Sequence, residues 1–371
     1  MNDTDRDLLP VGLEDRLPQG AGAATRIMRA ILDVMDAHGY DRARPPLIEF
    51  ERSLAARMAG IRSRRMFRFV DPGSLRMLAL RSDITPQIGR IAETGLAGAP
   101  RPLRLAYSGQ VVTIVADALD PRRERLQVGA ELIGSDSVAA AGEIVSMAIE
   151  AVKAAGATGI SVDFTLPDLV DTLAAKALPL APGSIEAVRR ELDAKDAGGL
   201  KDAGGEAYLP LLYATGPFDE AIEKLAAVDA GGALASRIAG LREIAAKVNG
   251  AARLTLDPSE RHGFEYQSWF GFTIYAEGVR GALGRGGTYH ISDEASGEPA
   301  IGFSLYPDPL IDAASASEAR EAVFLPLGHD AAAAAKLRAE GWRTIAALSE
   351  ADDAAALGCT HILEGGAAKV L

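Results

Sequence analysis

The chain has 371 residues, 48% apolar and 24% charged, a balance that fits a soluble globular protein with room for one large and one smaller domain. Lys and Arg number 39 against 51 Asp and Glu, a net charge of −12, which argues against a general nucleic-acid binder, because such proteins need a basic stripe to neutralise phosphates. The single cysteine, Cys359, has no partner for an intramolecular disulfide and fits a reducing cytoplasm. Met1 to Asp7 is charged and lacks the apolar core of a signal peptide, and no apolar run reaches the length of a membrane span.

In chain order, Ile27, Met28, Ile31, Leu32 and Met35 recur at helical spacing between Ala23 and His38, and Gly39 stops that helix. Tyr40 to Glu51 reads as one strand entered through Arg44-Pro45-Pro46. Met66 to Val70 and Met77 to Leu80, split by Asp71-Pro72-Gly73, read as a hairpin. Thr85 before Pro86 makes an N-cap and first-turn pair for a helix through Glu93. Two strands follow, Pro102 to Val115 and Leu126 to Gly134, joined by the charged loop Ala116 to Arg125. Alternation sends Leu126, Val128, Ala130 and Leu132 into a core, and Gln127, Gly129 and Glu131 together to the other face. With no side chain at Gly129, that face is a polar floor with room above it. It suits a small ligand carrying N–H donors or positive charge; the competing reading is an ordinary solvated sheet face.

Ser137 to Gly156 reads as an Ala-rich helix with Ile144, Met147, Ala148 and Ala151 on one face, and Ile160 to Phe164 as a strand. From Pro167 to about Val248 the text is helical and broken by Gly and Pro, an insertion carried by the main sheet. Strands resume at Ala252 to Asp257 and in the run Arg261 to Tyr275. Gly281, Gly284, Gly286 and Gly287 give a weak phosphate-loop signal, with no P-loop Lys-Ser/Thr after it. After the Ala313 to Ala319 linker come a strand (Ala322 to Gly328), a helix (Ala331 to Gly341) and strands at Thr344 to Leu348 and His361 to Leu363. The five histidines and Cys359 show no metal-site spacing, no Ser/His/Asp elbow is present, and neither a metal nor another cofactor is expected.

Several of these stretches carry a resemblance. Tyr107 to Thr113, the basic loop and Leu126 to Gly134 resemble motif 2 of the class II histidyl-tRNA synthetase family. The helix and proline-containing strand up to Glu51 resemble motif 1, the dimer-forming element. Arg81 to Thr85 resembles the family's Leu-Arg-Pro-Glu-Gly-Thr, with Asp83 in place of the Glu; Arg261 to Tyr275 resembles its histidine-specific motif; Pro299 to Leu310 resembles a decayed motif 3.

The resemblance implies an α+β fold: a class II aminoacyl-tRNA synthetase-like antiparallel sheet flanked by helices over residues 1–320, with the helical insertion at about 167–248. Residues 321–371 are then a small α/β C-terminal domain, like a truncated anticodon-binding domain. It also implies a histidine pocket made by Asp83, Thr85, Gln127, Glu131, Tyr266 and His262. Read locally, Thr85 is equally a helix cap and Tyr266 equally an ordinary core aromatic.

Three family arginines that act on ATP and the carboxylate are replaced by Thr113, His262 and Pro309, and losing one such electrostatic contact typically costs about 2.7–4 kcal/mol. Pro307 and Pro309 are also expected to break the motif 3 helix. An amino-acid pocket kept while the ATP site is lost, together with the wording Asp83-Ile84-Thr85-Pro86-Gln87, resembles the regulatory-subunit family of ATP phosphoribosyltransferase. That family implies a non-catalytic cytoplasmic protein and a homodimer that partners the short-form catalytic subunit in the first step of histidine biosynthesis. Its ligand would be L-histidine, as feedback signal, with no tRNA and no membrane. The alternative is a divergent histidyl-tRNA synthetase or another histidine-binding paralogue.

Overall fold

A computed structural model describes residues 9–55, 66–115, 120–261, 267–291, 297–315 and 321–371. The chain divides into one unit ending at Ser315 and a second beginning at Ala316. The first opens with α1 (Pro18–Ala37), which has proline in its first turn and buries Ala23, Ala24, Ile27, Ile31 and Met35. The single strand expected over 40–51 is two: β1 (Asp41–Arg42) and β2 (Ile48–Phe50). Pro45 and Pro46 lie between them, and proline has no N–H to give a ladder, so the chain leaves one sheet there and enters another. With α2 (Glu51–Ala55), β3 (Arg68–Val70) and β4 (Met77–Leu80), β2 forms a three-stranded sheet of order β2-β4-β3. Its hairpin turn is held by Asp71, which accepts the N–H groups of Gly73 and Ser74 at 3.3 and 3.1 Å.

Helix α3 (Thr85–Glu93) begins at the expected Thr-Pro pair, but the capping group differs. Asp83 Oδ1 accepts the Thr85 N–H at 3.0 Å, which leaves the Thr85 hydroxyl for other partners. Strands β5 (Leu103–Val112) and β6 (Glu124–Ile133) form a long antiparallel pair. Helix α4 (Val138–Ala154) is capped by Ser137, whose Oγ accepts the Ala140 N–H at 3.2 Å. It is buried well beyond the one expected stripe, because it packs against α1 and against the helices that follow β7 (Ser161–Thr165). Those helices are α5 (Leu169–Lys176), α6 (Ile185–Asp193), α7 (Ala197–Asp202), α8 (Phe218–Val228) and α9 (Ala235–Lys247), with the short β8 (Gly216–Pro217) before α8.

Strands β9 (Arg253–Leu256), β10 (Gln267–Tyr275), β11 (Gly284–Ile291) and β12 (Glu298–Leu305) complete a nine-stranded sheet of order β1-β5-β6-β12-β11-β10-β7-β9-β8. The sheet is antiparallel through its centre and parallel only at the β1–β5 and β7–β9 pairs. The glycine cluster read as a weak loop signal is strand: Gly284, Gly286 and Gly287 lie within β11. A helix, α10 (Asp308–Ser315), does form where prolines were expected to prevent one. Pro307 precedes it and Pro309 is its second residue, and in the first turn a missing N–H breaks no helical bond.

The second unit holds β13 (Ala322–Leu325), α11 (Ala331–Ala339), β14 (Arg343–Ala346), β15 (His361–Glu364) and β16 (Ala367–Val370), in sheet order β14-β13-β15-β16. Strand β16, absent from the sequence reading, pairs back on β15 through Gly365-Gly366, both at positive φ, as a tight hairpin turn requires.

Candidate functional site

One face of the large sheet carries the core. Val128, Ala130 and Leu132 of β6 lie there with Phe272 of β10 and Phe303 of β12, as the alternation predicts. On the opposite face the ladder aligns two rows of side chains. Asp163, Thr273, Arg285, Ser304, Gly129 and Tyr107 stand across from one another in the first. The second, two residues along each strand, runs Thr165, Gly271, Gly287, Gly302, Glu131 and Leu105. Three neighbouring strands therefore present glycine side by side, a bare trough that ends at the Glu131 carboxylate.

Gln127 and Glu131 do share this face, and both are buried. The room expected above Gly129 is filled: a Cβ there would collide with the Tyr107 hydroxyl and the Phe303 carbonyl. Glu131 Oε1 accepts from the Thr85 and Tyr107 hydroxyls at 3.0 and 3.1 Å, and Oε2 accepts from Tyr289 at 2.8 Å. Gln127 Oε1 accepts the Ile84 N–H at 2.9 Å, while its Nε2 donates to Asp83 Oδ1 at 2.7 Å and Ser304 Oγ at 2.8 Å. Asp83, Thr85, Gln127 and Glu131 thus form one hydrogen-bonded group with Tyr107, Tyr289 and Ser304. His262 and Tyr266 lie outside the described residues.

Burial pushes the Glu131 carboxyl up to about 8; the hydroxyls of Tyr289, Thr85 and Tyr107 pull the other way without cancelling it. Burial also raises Asp83, opposed by the Gln127 amide and the Thr85 N–H. The open space left beside Glu131 is a cavity of about 20 Å³, lined also by Thr85, Gln267, Tyr289 and Gly302, room for about one water.

The positions expected to lack cations do lack them. The Thr113 N–H donates to the Arg123 carbonyl at 2.8 Å, and Pro309 lines a cavity of about 740 Å³ beside the floor. Other arginines line that cavity. Arg122 is held by Asp120 and Asp312 at 2.9 and 2.7 Å, and Arg125 lies over the Tyr306 ring at 4.4 Å. The sequence shows Arg122 and Arg125 only as a charged loop, because their partners Asp312 and Tyr306 come from the far end of the unit. Among the described residues, no group of three or more His, Cys, Asp or Glu side chains is placed to hold a metal, and no helix is long and apolar enough to cross a membrane.

This sheet, with its paired β5–β6 floor, is the architecture of class II synthetases. A histidyl-tRNA synthetase from Nostoc superposes with a TM-score of 0.76 at 14% identity, over 98% of this chain and 92% of its own. A Bacillus halodurans protein described as an ATP phosphoribosyltransferase regulatory subunit/histidyl-tRNA synthetase superposes at 0.80 with 23% identity, over 96% and 97%. The sequence model of the family described as Histidyl-tRNA synthetase matches residues 12–310.

Full-length relatives narrow this further. ATP phosphoribosyltransferase regulatory subunits from Rhodospirillum centenum and Paramagnetospirillum magneticum are each 40% identical, over 97% and 96% of this chain and 95% and 96% of theirs. The chain belongs to the ATP phosphoribosyltransferase regulatory subunit family, on a histidyl-tRNA synthetase fold.

Proposed function

We propose that this chain is the non-catalytic regulatory subunit of an ATP phosphoribosyltransferase, acting in the cytoplasm with a short-form catalytic subunit at the first step of histidine biosynthesis and making that step responsive to histidine. Relatives of that name, alike along almost the whole length, support the partnership. The observation that carries the sensing role is the Glu131 carboxylate, buried at the end of the glycine trough among neutral hydroxyls alone. A ligand N–H or cation seated there gains a charge-assisted bond. L-histidine offers both, and Asp83, Thr85 and Gln127 lie within the same network, with His262 and Tyr266 assigned to the same pocket by sequence.

The test is co-expression with a short catalytic subunit. The two chains are expected to co-purify, phosphoribosyl transfer to ATP is expected to require or be enhanced by this chain, and histidine is expected to depress it. Coupling of this kind typically amounts to about 1–3 kcal/mol and is reciprocal, so the catalytic subunit in its active state weakens histidine binding here. Failure to co-purify, or a rate indifferent to histidine, overturns the reading.

A homodimer through the motif 1 region belongs to the same proposal. Ile48, Phe50, Phe69, Leu78 and Leu80 share the outer face of the small sheet by register, and Ile48, Phe50 and Phe69 are exposed. Contiguous apolar surface of this kind marks an interface, and a second copy is the proposed cover. Light scattering at micromolar concentration is expected to give twice the chain mass, and Phe69→Asp to give monomer; a monomeric parent protein would contradict this.

A further inference from the structure

The glycine trough is not empty. The Gln267 carboxamide lies in it: Nε2 donates to the Gly286 carbonyl at 2.8 Å, and a Cβ on Gly271 or Gly287 would meet Gln267 Oε1 or Nε2 at 2.5 or 2.6 Å. Three strands have given up their side chains to bare this floor, and a side chain from the start of β10 refills it. The strand is shaped to deliver it. Between Gln267 and Gly271 the pairing with β11 slips, four steps on β10 facing two on β11, a bulge of the kind that re-aims a side chain. The Thr288 hydroxyl accepts the N–H groups of Trp269 and Phe270 at 3.1 and 3.0 Å, replacing ladder bonds that the bulge removes.

On its other side Gln267 borders a second cavity, of about 250 Å³, lined by Asp168, Asp171, Arg189, Arg261 and Ser268. Asp168 Oδ1, Arg189 Nε and Ser268 Oγ are buried without hydrogen-bond partners, polar capacity that the fold leaves unused. Among the described residues, Gln267 alone lines both this cavity and the small one beside Glu131.

Resting on the reading of the floor as the histidine site, we propose that Gln267 is a built-in occupant of that site, and that an amino-acid ligand binds by displacing it and joining the two cavities. The chemistry of the two ends differs. The inner end offers one carboxylate, fitted to an N–H-bearing or cationic side chain. The outer end offers both signs, Asp168 and Asp171 with Arg189 and Arg261, fitted to an α-ammonium and an α-carboxylate. The joined space is on the scale of one free amino acid. Closure by Gln267 lowers the apparent affinity by the fraction of chains that are open.

Calorimetric titration of the full chain with L-histidine decides it, comparing the parent with Gln267→Ala, Gln267→Ser and Glu131→Ala. Both Gln267 variants are expected to bind more tightly, by about tenfold if one chain in ten is open at rest, and Glu131→Ala more weakly. Two small replacements at 267 guard against one that misfolds, and neither adds volume. Weaker binding by the Gln267 variants makes Gln267 a direct ligand contact and overturns the proposal while the histidine site stands. Unchanged binding by them, with Glu131→Ala weakened, overturns it too. Histidine binding that no variant alters, or no binding by any protein including the open variants, removes the histidine site itself. Histamine, which lacks the carboxylate, tests the outer end: Arg261→Ala is expected to weaken histidine binding and leave histamine unchanged, and an equal loss for both overturns the assignment of that end.

Discussion

Histidine-dependent exchange between ATP and pyrophosphate is expected to run at least about 10⁴-fold more slowly in this chain than in a working synthetase, since each lost cation at the reacting phosphates costs about 10²–10³ in rate. The loss is specific to place. Thr113 carries no charge and its backbone is tied to Arg123; Pro309 carries none and starts a helix. The arginines that do line the neighbouring cavity are committed elsewhere, Arg122 to Asp120 and Asp312 and Arg125 to the Tyr306 ring. Radiolabelled pyrophosphate exchange by the purified chain is the measurement. Exchange within tenfold of a synthetase would mean that these relocated arginines do the work of the missing ones, and the regulatory reading would have to admit a catalyst.

The second large effect is on stability against pH. Glu131 has a folded-state carboxyl pushed up to about 8 from an ordinary 4.5. Between those values the native state binds a proton that the unfolded chain has released, so stability falls as pH rises. The contribution is fully present below about 4.5, shrinks by about 1.4 kcal/mol per unit of pH above it, and is gone above about 8. Glu131→Gln keeps the shape and one acceptor and cannot ionise. Its melting temperature is expected to stay nearly flat between pH 5 and 8 relative to the parent, with the two curves separating as pH rises and the variant the more stable at pH 8. Parallel curves would mean that Glu131 is ionised throughout and that a cation reaches it.

Local pattern carried much of the fold. The period of two in β6 placed Val128, Ala130 and Leu132 in the core and Gln127 and Glu131 opposite them, because alternation is a property of the strand itself. Prolines misled twice, at 45–46 and at 307–309, because their effect depends on position: they end a ladder anywhere but cost nothing in a helical first turn. The floor was legible as Gln127 and Glu131, but not what closes it. Tyr107, Tyr289 and Ser304 reach Glu131 and Gln127 through the pairing of β5, β6, β11 and β12, with partners up to 177 residues apart. Gln267 reaches the trough through a bulge. No spacing along the chain announces either.

The break at Pro45-Pro46 has one more consequence. Their freed carbonyls are taken from the far side: Arg81 Nη1 donates to the Pro45 carbonyl at 3.1 Å, and Gln87 Nε2 to that of Pro46 at 2.8 Å. Arg81 Nε also donates to the Gln110 carbonyl of β5 at 2.8 Å, and its guanidinium lies so close over Gly109 that no Cβ fits beneath it. One guanidinium thus rivets the small sheet, the large sheet and the start of α3 together, two residues from Asp83. A tilt of the small sheet is levered directly into the acid and threonine at the mouth of the floor. In a dimer joined through that sheet, occupancy of one pocket would reach the other across a short, stiff arm, and histidine would be sensed with a Hill coefficient above one.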